Sequence, residues 1–514
     1  MALLIRLCFL LMVLPACAQP AGGFIALSYH EVESDSAPLT SPTAVRASDL
    51  AAQFAWLKAN AYRPVSLDAI IAARKGGAAL PPKAVLLTFD DGLKDFHTRA
   101  FPLLKQFDYP AVIALVGAWL DVEAGKTVDY DGAARPRADF VTWDEVREMQ
   151  RSGLIEVATH TYGLHRGILA NPQGNTEPAA ITRLYADGRY ETDEAYLGRL
   201  GRDLAASSRL IAERSGSAPR ILVWPYGRSN LAGQEIAAGL GMAGAFTLED
   251  GPTPASRSLF HIRRYLVENS PSLQEFAELL RNAWAPDPAR SVKIVPGRWQ
   301  DEEAGLSATL DRLLALQPNM AFVSPSVQRD GRELALFATS RLPLARDSLN
   351  HICWQTERRA GVPVFIDLPD HWLGDAALVA DLARHVNFAG LRLRAMPGST
   401  TAAGVRAAAE RWRWPLQFVH ALDRTPDADV WAQLAEKDLI VLPATEANIA
   451  ALPAGAKAKV LLEFDPALPA AEIAGRMRTL EAEGFRQFGL AGLPQDGMDA
   501  VGRVLSLRSQ PQLR

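Results

Sequence analysis

The sequence predicts an α/β protein of two units in series: an N-terminal distorted (β/α)7-type barrel and a second, shortened (β/α) barrel-like domain. Three observations carry this expectation. The chain has 514 residues, more than one hydrophobic core usually supports. From residue 24 onward, short apolar runs rich in β-branched residues alternate with longer amphipathic stretches, as parallel strands alternate with the helices that cover them. The alternation breaks once, at 283–300, where Pro286, Pro288 and Pro296 interrupt it, and then resumes.

In the first unit the runs Phe24–Tyr29, Val85–Phe89, Ala111–Val116, Ile155–Thr159, Ile221–Trp224, Ala243–Leu248 and Ile262–Val267 read as strands. Ser48 is placed to cap a helix with Leu50, Phe54 and Leu57 on one face. Thr142-Trp143-Asp144-Glu145 is a capping box opening another. The break at 283–300 reads as a linker. Beyond it, within 301–514, seven more strands are legible: Ala321–Val323, Val364–Ile366, Leu391–Leu393, Leu416–Val419, Leu439–Leu442, Val460–Leu462 and Gln487–Leu490. In barrels of this kind, chemistry sits just past the C-terminal ends of strands.

The N-terminus is a separate device. Arg6 precedes the apolar run Leu7–Leu14, too short to span a bilayer and of the length of a signal-peptide core. It runs into Leu14-Pro15-Ala16-Cys17, which resembles the lipobox of bacterial lipoproteins. That resemblance implies removal of residues 1–16 and lipid on Cys17, with the mature chain held to a membrane by its anchor. Of the three cysteines, Cys8 then leaves with the signal and Cys353 stands alone, so neither an internal disulfide nor a cysteine-rich metal site is expected. Lys and Arg total 54 against 58 Asp and Glu, an even balance that leaves no footprint for nucleic acid.

Two strand ends carry the chemistry. Leu86-Leu87-Thr88-Phe89 runs into Asp90-Asp91-Gly92, two adjacent carboxylates at a sharp turn. Taken alone this is a solvated turn; taken as a site, one carboxylate binds a cation and the other, kept ionised, acts as a base. Ile155–Thr159 runs into His160, with His165 five residues on and Gly163 between them. Two histidines at one strand end and a carboxylate at another form a three-ligand set with room for water, the pattern of a catalytic metal site.

Phe89-Asp90-Asp91-Gly92 and the H-x4-H of His160 and His165 resemble the first two motifs of the NodB-like polysaccharide deacetylases, carbohydrate esterase family 4. Trp224-Pro225-Tyr226-Gly227 is similar to the third, although Val223-Trp224 stands where the family has Arg-x. Ser28-Tyr29-His30-Glu31-Val32, the lipobox and the long C-terminal region resemble the members that act on poly-β-1,6-N-acetyl-D-glucosamine during biofilm exopolysaccharide export. For 17–282 the resemblance implies a deacetylase domain with Asp91, His160 and His165 holding a divalent metal. Asp90 would be the base, and the backbone at Tyr226 would stabilise the oxyanion. His30, ending the first strand, is preferred as the acid over His261. Trp224, Pro225 and Arg166 are candidate sugar contacts; Trp143, in the first turn of a helix, has packing as its simpler role. Zn, Ni, Co and Fe all suit such a donor set. The implied partners are the polymer and an outer-membrane export porin, and the implied location is the periplasmic face of the outer membrane of a Gram-negative cell.

For 301–514 the resemblance implies a glycoside-hydrolase-like, polymer-binding domain. Cleavage would need two carboxylates across the bond. Asp367, Glu463 and Asp465 follow strands, but Val323-Ser324-Pro325-Ser326-Val327 lacks the family's acidic segment. Binding without cleavage is the expectation. Other acetylated glycans, such as chitin oligomers or peptidoglycan, fit the same motifs, as does a binding scaffold that has lost its activity.

Overall fold

The computed structural model describes residues 22–36, 38–281, 287–494 and 498–507. These fall into two compact units. The expected leader and lipobox, with Cys17, lie outside the described residues, as do 282–286 of the expected linker.

The first unit is an eight-stranded parallel sheet that curls into an open barrel. Its spatial order is Gly244–Phe246, Ile221–Val223, Ile155–Thr159, Ala111–Leu115, Ala84–Phe89, Ile25–Tyr29, Tyr265–Leu266, with Arg63–Pro64 beside the start of Ala84–Phe89. The central strands are apolar without alternation because both faces are covered. One face packs Leu87, Phe89, Ile113 and Leu115 against Phe54, Phe96 and Phe140; the other packs Leu86, Val112 and Ala158 against Ile70 and Val223. The capping box at Thr142 forms as expected. Ser48 does not cap its helix, which spans Ala47–Ala59: its hydroxyl donates instead to Asp35, 2.7 Å away. Leu50, Phe54 and Leu57 are buried on one face all the same.

The second unit is a closed barrel of eight parallel strands: Arg290–Ile294, Met320–Val323, Val364–Asp367, Gly390–Leu393, Gln417–Ala421, Leu439–Pro443, Val460–Phe464 and Gln487–Leu490, the last pairing with the first. Phe322, Phe365, Val419, Val441 and Leu461 belong to its core. The strand that sequence reading missed is Arg290–Ile294, which lies inside the stretch taken as a linker. Its Arg290 and Lys293 masked the apolar pattern, yet Arg290 is 1% exposed, its guanidinium over the Phe488 ring. The unit also takes in 167–199 and 228–235, which the division at 283–300 had assigned to the first domain. Glu177 lies 3.7 Å from Arg413 within it, and His351 Nδ1 lies 2.8 Å from Asn175 Oδ1.

Candidate active site

Backbone turns at two strand ends bring the expected residues together. Directly after Ala84–Phe89, Asp91 sits at φ 72° and Gly92 at φ 69°. The chain therefore reverses sharply, and the two carboxylates meet different partners. After Ile155–Thr159 the same device recurs at Thr161, φ 69°. Three hydrogen bonds shape the loop behind it: Asp203 accepts from the backbone N–H of Tyr162 and of Gly163, each at 2.8 Å, and Thr161 Oγ1 accepts from Leu164 N. That loop returns His165 to the end of its own strand. Left-handed backbone at residues other than glycine costs free energy and is retained where the surroundings enforce it.

Asp91, His160 and His165 each offer a ligand atom, and the three atoms lie within 4.8 Å of one another. Asp91 Oδ1 is 3.5 Å from Nε2 of both histidines. All three residues are buried. His160 Nδ1 lies 2.7 Å from the Val223 carbonyl, so it carries the proton and leaves Nε2 as the free donor atom. Burial is the main influence on His160 and pulls its pKa down to about 4. Asp91 Oδ1 is buried and has no hydrogen-bond partner. A buried carboxylate oxygen left bare between two imidazole nitrogens is costly without a cation. The donor set fits a divalent metal ion.

Asp90 stands beside that triad with partners of its own. Its Oδ1 accepts from Arg264 Nη1 at 2.7 Å, and its Oδ2 lies 3.9 Å from His30 Nε2 and within reach of the Ser28 hydroxyl. Burial alone would push its carboxyl up. The Arg264 guanidinium, helped by His160 and His30, outweighs that and holds it well below the usual carboxylate range.

Tyr226 is at φ 57°, ψ 16°, its ring centroid 4.6 Å from that of His165. Gly227 follows at φ 66°, where a Cβ would stand 2.7 Å from the backbone nitrogen of Leu248. His261 lies on the short turn Leu259–His261, whose Leu259 carbonyl packs against Gly244 at the start of a strand. His30 is thus the histidine placed beside Asp90.

The expected sugar contacts divide. Arg166 is exposed. Pro225 is buried, and Trp224 is wholly so; the apolar run Ile221–Trp224 continues the interior of a central strand, so Trp224 offers no face for stacking. Trp143 packs partly buried against the core.

Three participants escaped the sequence reading. Arg264 follows Ile262, which pairs with Phe246 in the curled sheet. It reads as an interruption of an apolar run, and its partner is 174 residues away. Tyr130 and Asp131 sit at the tip of the antiparallel hairpin Thr127–Tyr130, Ala133–Pro136. The signal there was Asp131-Gly132, a two-residue turn sequence with both φ values positive, 52° and 86°.

Residues 77–245 match the polysaccharide deacetylase family model. The chain is 37% identical over 360 residues to a poly-β-1,6-N-acetyl-D-glucosamine N-deacetylase of Escherichia coli strain K12, an alignment covering 68% of this chain and 53% of that protein. It therefore spans about half the length of that curated relative. A protein of the same name from Staphylococcus aureus strain N315 is 22% identical over 256 residues, covering 48% of this chain and 79% of that one. A solved de-N-acetylase from Aggregatibacter actinomycetemcomitans is 38% identical with a TM-score of 0.47, over 49% of this chain and 99% of that one.

Proposed function

We propose that this chain, whose residues 77–245 form a polysaccharide deacetylase domain, hydrolyses the N-acetyl groups of poly-β-1,6-N-acetyl-D-glucosamine. The observation that carries the reading is the convergence of Asp91, His160 and His165 beside an ionised Asp90. Amide hydrolysis needs a polarised carbonyl, an activated water and a proton for the departing amine. A divalent ion held by Asp91, His160 and His165 would polarise the acetyl carbonyl and acidify water. Zn, Ni, Co and Fe are the candidates for that ion.

The remaining roles fall to the chain itself. Asp90, kept charged by Arg264, takes the proton from water. His30, 3.9 Å from Asp90, returns one to the leaving nitrogen. The backbone of Tyr226 supplies a donor for the developing oxyanion. The deciding experiment is acetate release from defined oligosaccharides. Turnover of β-1,6-linked over β-1,4-linked N-acetylglucosamine supports the substrate, and the reverse preference overturns it in favour of a chitin-like glycan.

The second unit is proposed to hold the polymer without cutting it. A cavity of about 500 Å³ opens past the strand ends of its barrel, with Lys293, Glu333, Asp367 and Arg392 in its lining. Two of its three carboxylates are closely paired, Asp367 at 2.6 Å from Lys293 and Glu333 at 2.6 Å from His371, while Asp370 is exposed, 3.7 Å from Arg394. Glu463, behind Arg392 at 2.8 Å, is paired as well, and Asp465 accepts from the backbone N–H of Ala467. A glycosidase needs one carboxylic acid and one carboxylate free to reach the bond.

Export and anchoring belong to the same reading. Leu14-Pro15-Ala16-Cys17 supports lipidation of Cys17, attachment to the periplasmic face of the outer membrane and work beside an export porin. Cys17→Ala should release the mature chain into the periplasm; an unmodified soluble wild-type chain would overturn the anchor. Among the described residues no helix is long and apolar enough to cross a membrane.

A further inference from the structure

A metal-binding imidazole needs its second nitrogen held, because the hydrogen bond there fixes the tautomer and the ring angle. Two of the three proposed ligands have such a hold already on view. His160 Nδ1 is tied to the Val223 carbonyl at 2.7 Å. Asp91 Oδ2 accepts from the Tyr130 hydroxyl at 2.5 Å, which leaves Oδ1 facing the two histidines. The third ligand, His165, has a buried Nδ1 that makes no close hydrogen bond. Its facing carboxylate is Asp131, with Oδ1 at 3.4 Å. The same Oδ1 accepts from the hydroxyl of Tyr226.

Tyr130 and Asp131 are neighbours at one hairpin tip, and the tip is well anchored. Val128 is 1% exposed. The Tyr130 ring packs at a tilt against Trp119 with centroids 5.0 Å apart, and the Arg135 guanidinium covers it at 4.6 Å. Trp119 also faces His165, with centroids 4.8 Å apart. The positive φ values at Asp131 and Gly132 close the turn so that the two side chains reach different ligands.

We infer that the Thr127–Pro136 hairpin is a positioning device for the metal centre, in which Asp131 orients His165 and Tyr130 orients Asp91. The inference rests on the metal-centre reading above. Asp131 acts through His165: it accepts a hydrogen bond from Nδ1–H, which keeps the proton there and presents Nε2 to the ion. Tyr226 steadies Asp131 from the other side. Neither hairpin residue is a ligand, so each variant should retain a site, with weaker and less ordered binding.

The test is titration of the chelator-stripped full chain with Co²⁺, read both as affinity and as the visible absorption of the bound ion. Asp131→Ala should weaken binding roughly 10- to 100-fold and alter the spectrum, the range typical of outer partners of metal ligands. Asp131→Asn keeps an oxygen that accepts from Nδ1, so it should fall between wild type and Asp131→Ala. Tyr130→Phe should weaken binding through Asp91. Tyr226→Phe removes a neighbour of Asp131 without touching Nδ1 and should lie closest to wild type. Wild-type affinity and spectrum in Asp131→Ala would overturn the role of Asp131. If Asp131→Ala does not fold, the isosteric Asp131→Asn decides: an unchanged spectrum and affinity overturn the inference, and a partial loss supports it. A wild-type chain that binds no Co²⁺ at all would instead remove the metal centre itself.

Discussion

Arg264 Nη1 lies 2.7 Å from Asp90 Oδ1, and both side chains are shut away from solvent. The guanidinium also donates to the Thr247 carbonyl and to the Thr88 hydroxyl, each at 3.1 Å. It is therefore fixed before any substrate arrives, and the carboxylate it faces is charged and correctly turned. The cost of basicity that this pairing imposes on Asp90 is offset if the attacking water is already acidified at the neighbouring triad.

Breaking that pair should be severe. Arg264→Met leaves a buried charge without its partner, a loss of roughly 3–5 kcal/mol. Chemical denaturation should show that drop, together with loss of acetate release. The double variant Arg264→Met/Asp90→Asn should regain part of the stability and none of the activity. A single variant as stable as wild type would mean that the pair is not carrying buried charge.

Ligand removal should separate metal from fold. Asp91→Ala and His160→Ala are each expected to abolish bound metal, by elemental analysis, and acetate release with it. Far-ultraviolet circular dichroism should stay near wild type, because neither residue belongs to the apolar clusters. Full activity after stringent chelation of the wild-type chain would count against the metal.

Asp95 predicts a pH dependence of stability. Its Oδ2 accepts from Val32 N at 3.0 Å, but its Oδ1 is buried without a partner. Burial, with the nearby Glu31 carboxylate adding to it, raises its pKa to about 7 from 3.8. A folded pKa above the unfolded one means that the folded chain binds the extra proton. The contribution is complete below about pH 4 and is lost as pH rises through about 7, at up to ~1.4 kcal/mol per unit. Asp95→Asn should flatten the fall in urea midpoint between pH 5 and pH 8 and be the more stable protein at pH 8. An unchanged slope would show that Asp95 titrates as an exposed carboxyl.

In the barrel, Arg392 serves two carboxylates, Glu463 at 2.8 Å and Asp367 at 3.7 Å. Arg392→Met should destabilise by roughly 3 kcal/mol, within the range for a broken buried pair. Adding Glu463→Gln should restore much of that loss, which a double-variant cycle in denaturant would measure. Additive effects would refute the coupling.

What the sequence disclosed and what it hid follow one physical rule. Asp90, Asp91 and His160 were legible because they follow continuous apolar strands directly, where barrels place chemistry, and His165 because it stands five residues beyond His160 across a glycine. Their partners were not. Arg264 answers Asp90 across 174 residues, and nothing local in Ile262–Val267 marks it as anything but an interruption. The strand Arg290–Ile294 was hidden because a buried guanidinium over an aromatic ring looks, in sequence, like an exposed one. Trp224 erred in the opposite direction: an aromatic next to a motif suggested a sugar platform, while the strand it continues had already buried it.

The course of the chain has its own consequence for how the protein is made. The chain passes between the two compact units at 166, 199, 227, 235 and 285. Residues 167–199 are synthesised early but belong to the unit completed last. Asn175 waits 176 residues for His351, and Glu177 waits longer still for Arg413. Such late closure makes for slow folding and prolonged exposure of unpaired segments. A nascent chain released near residue 285 would carry those segments with their partners unmade, and no single cleavage point yields either unit whole.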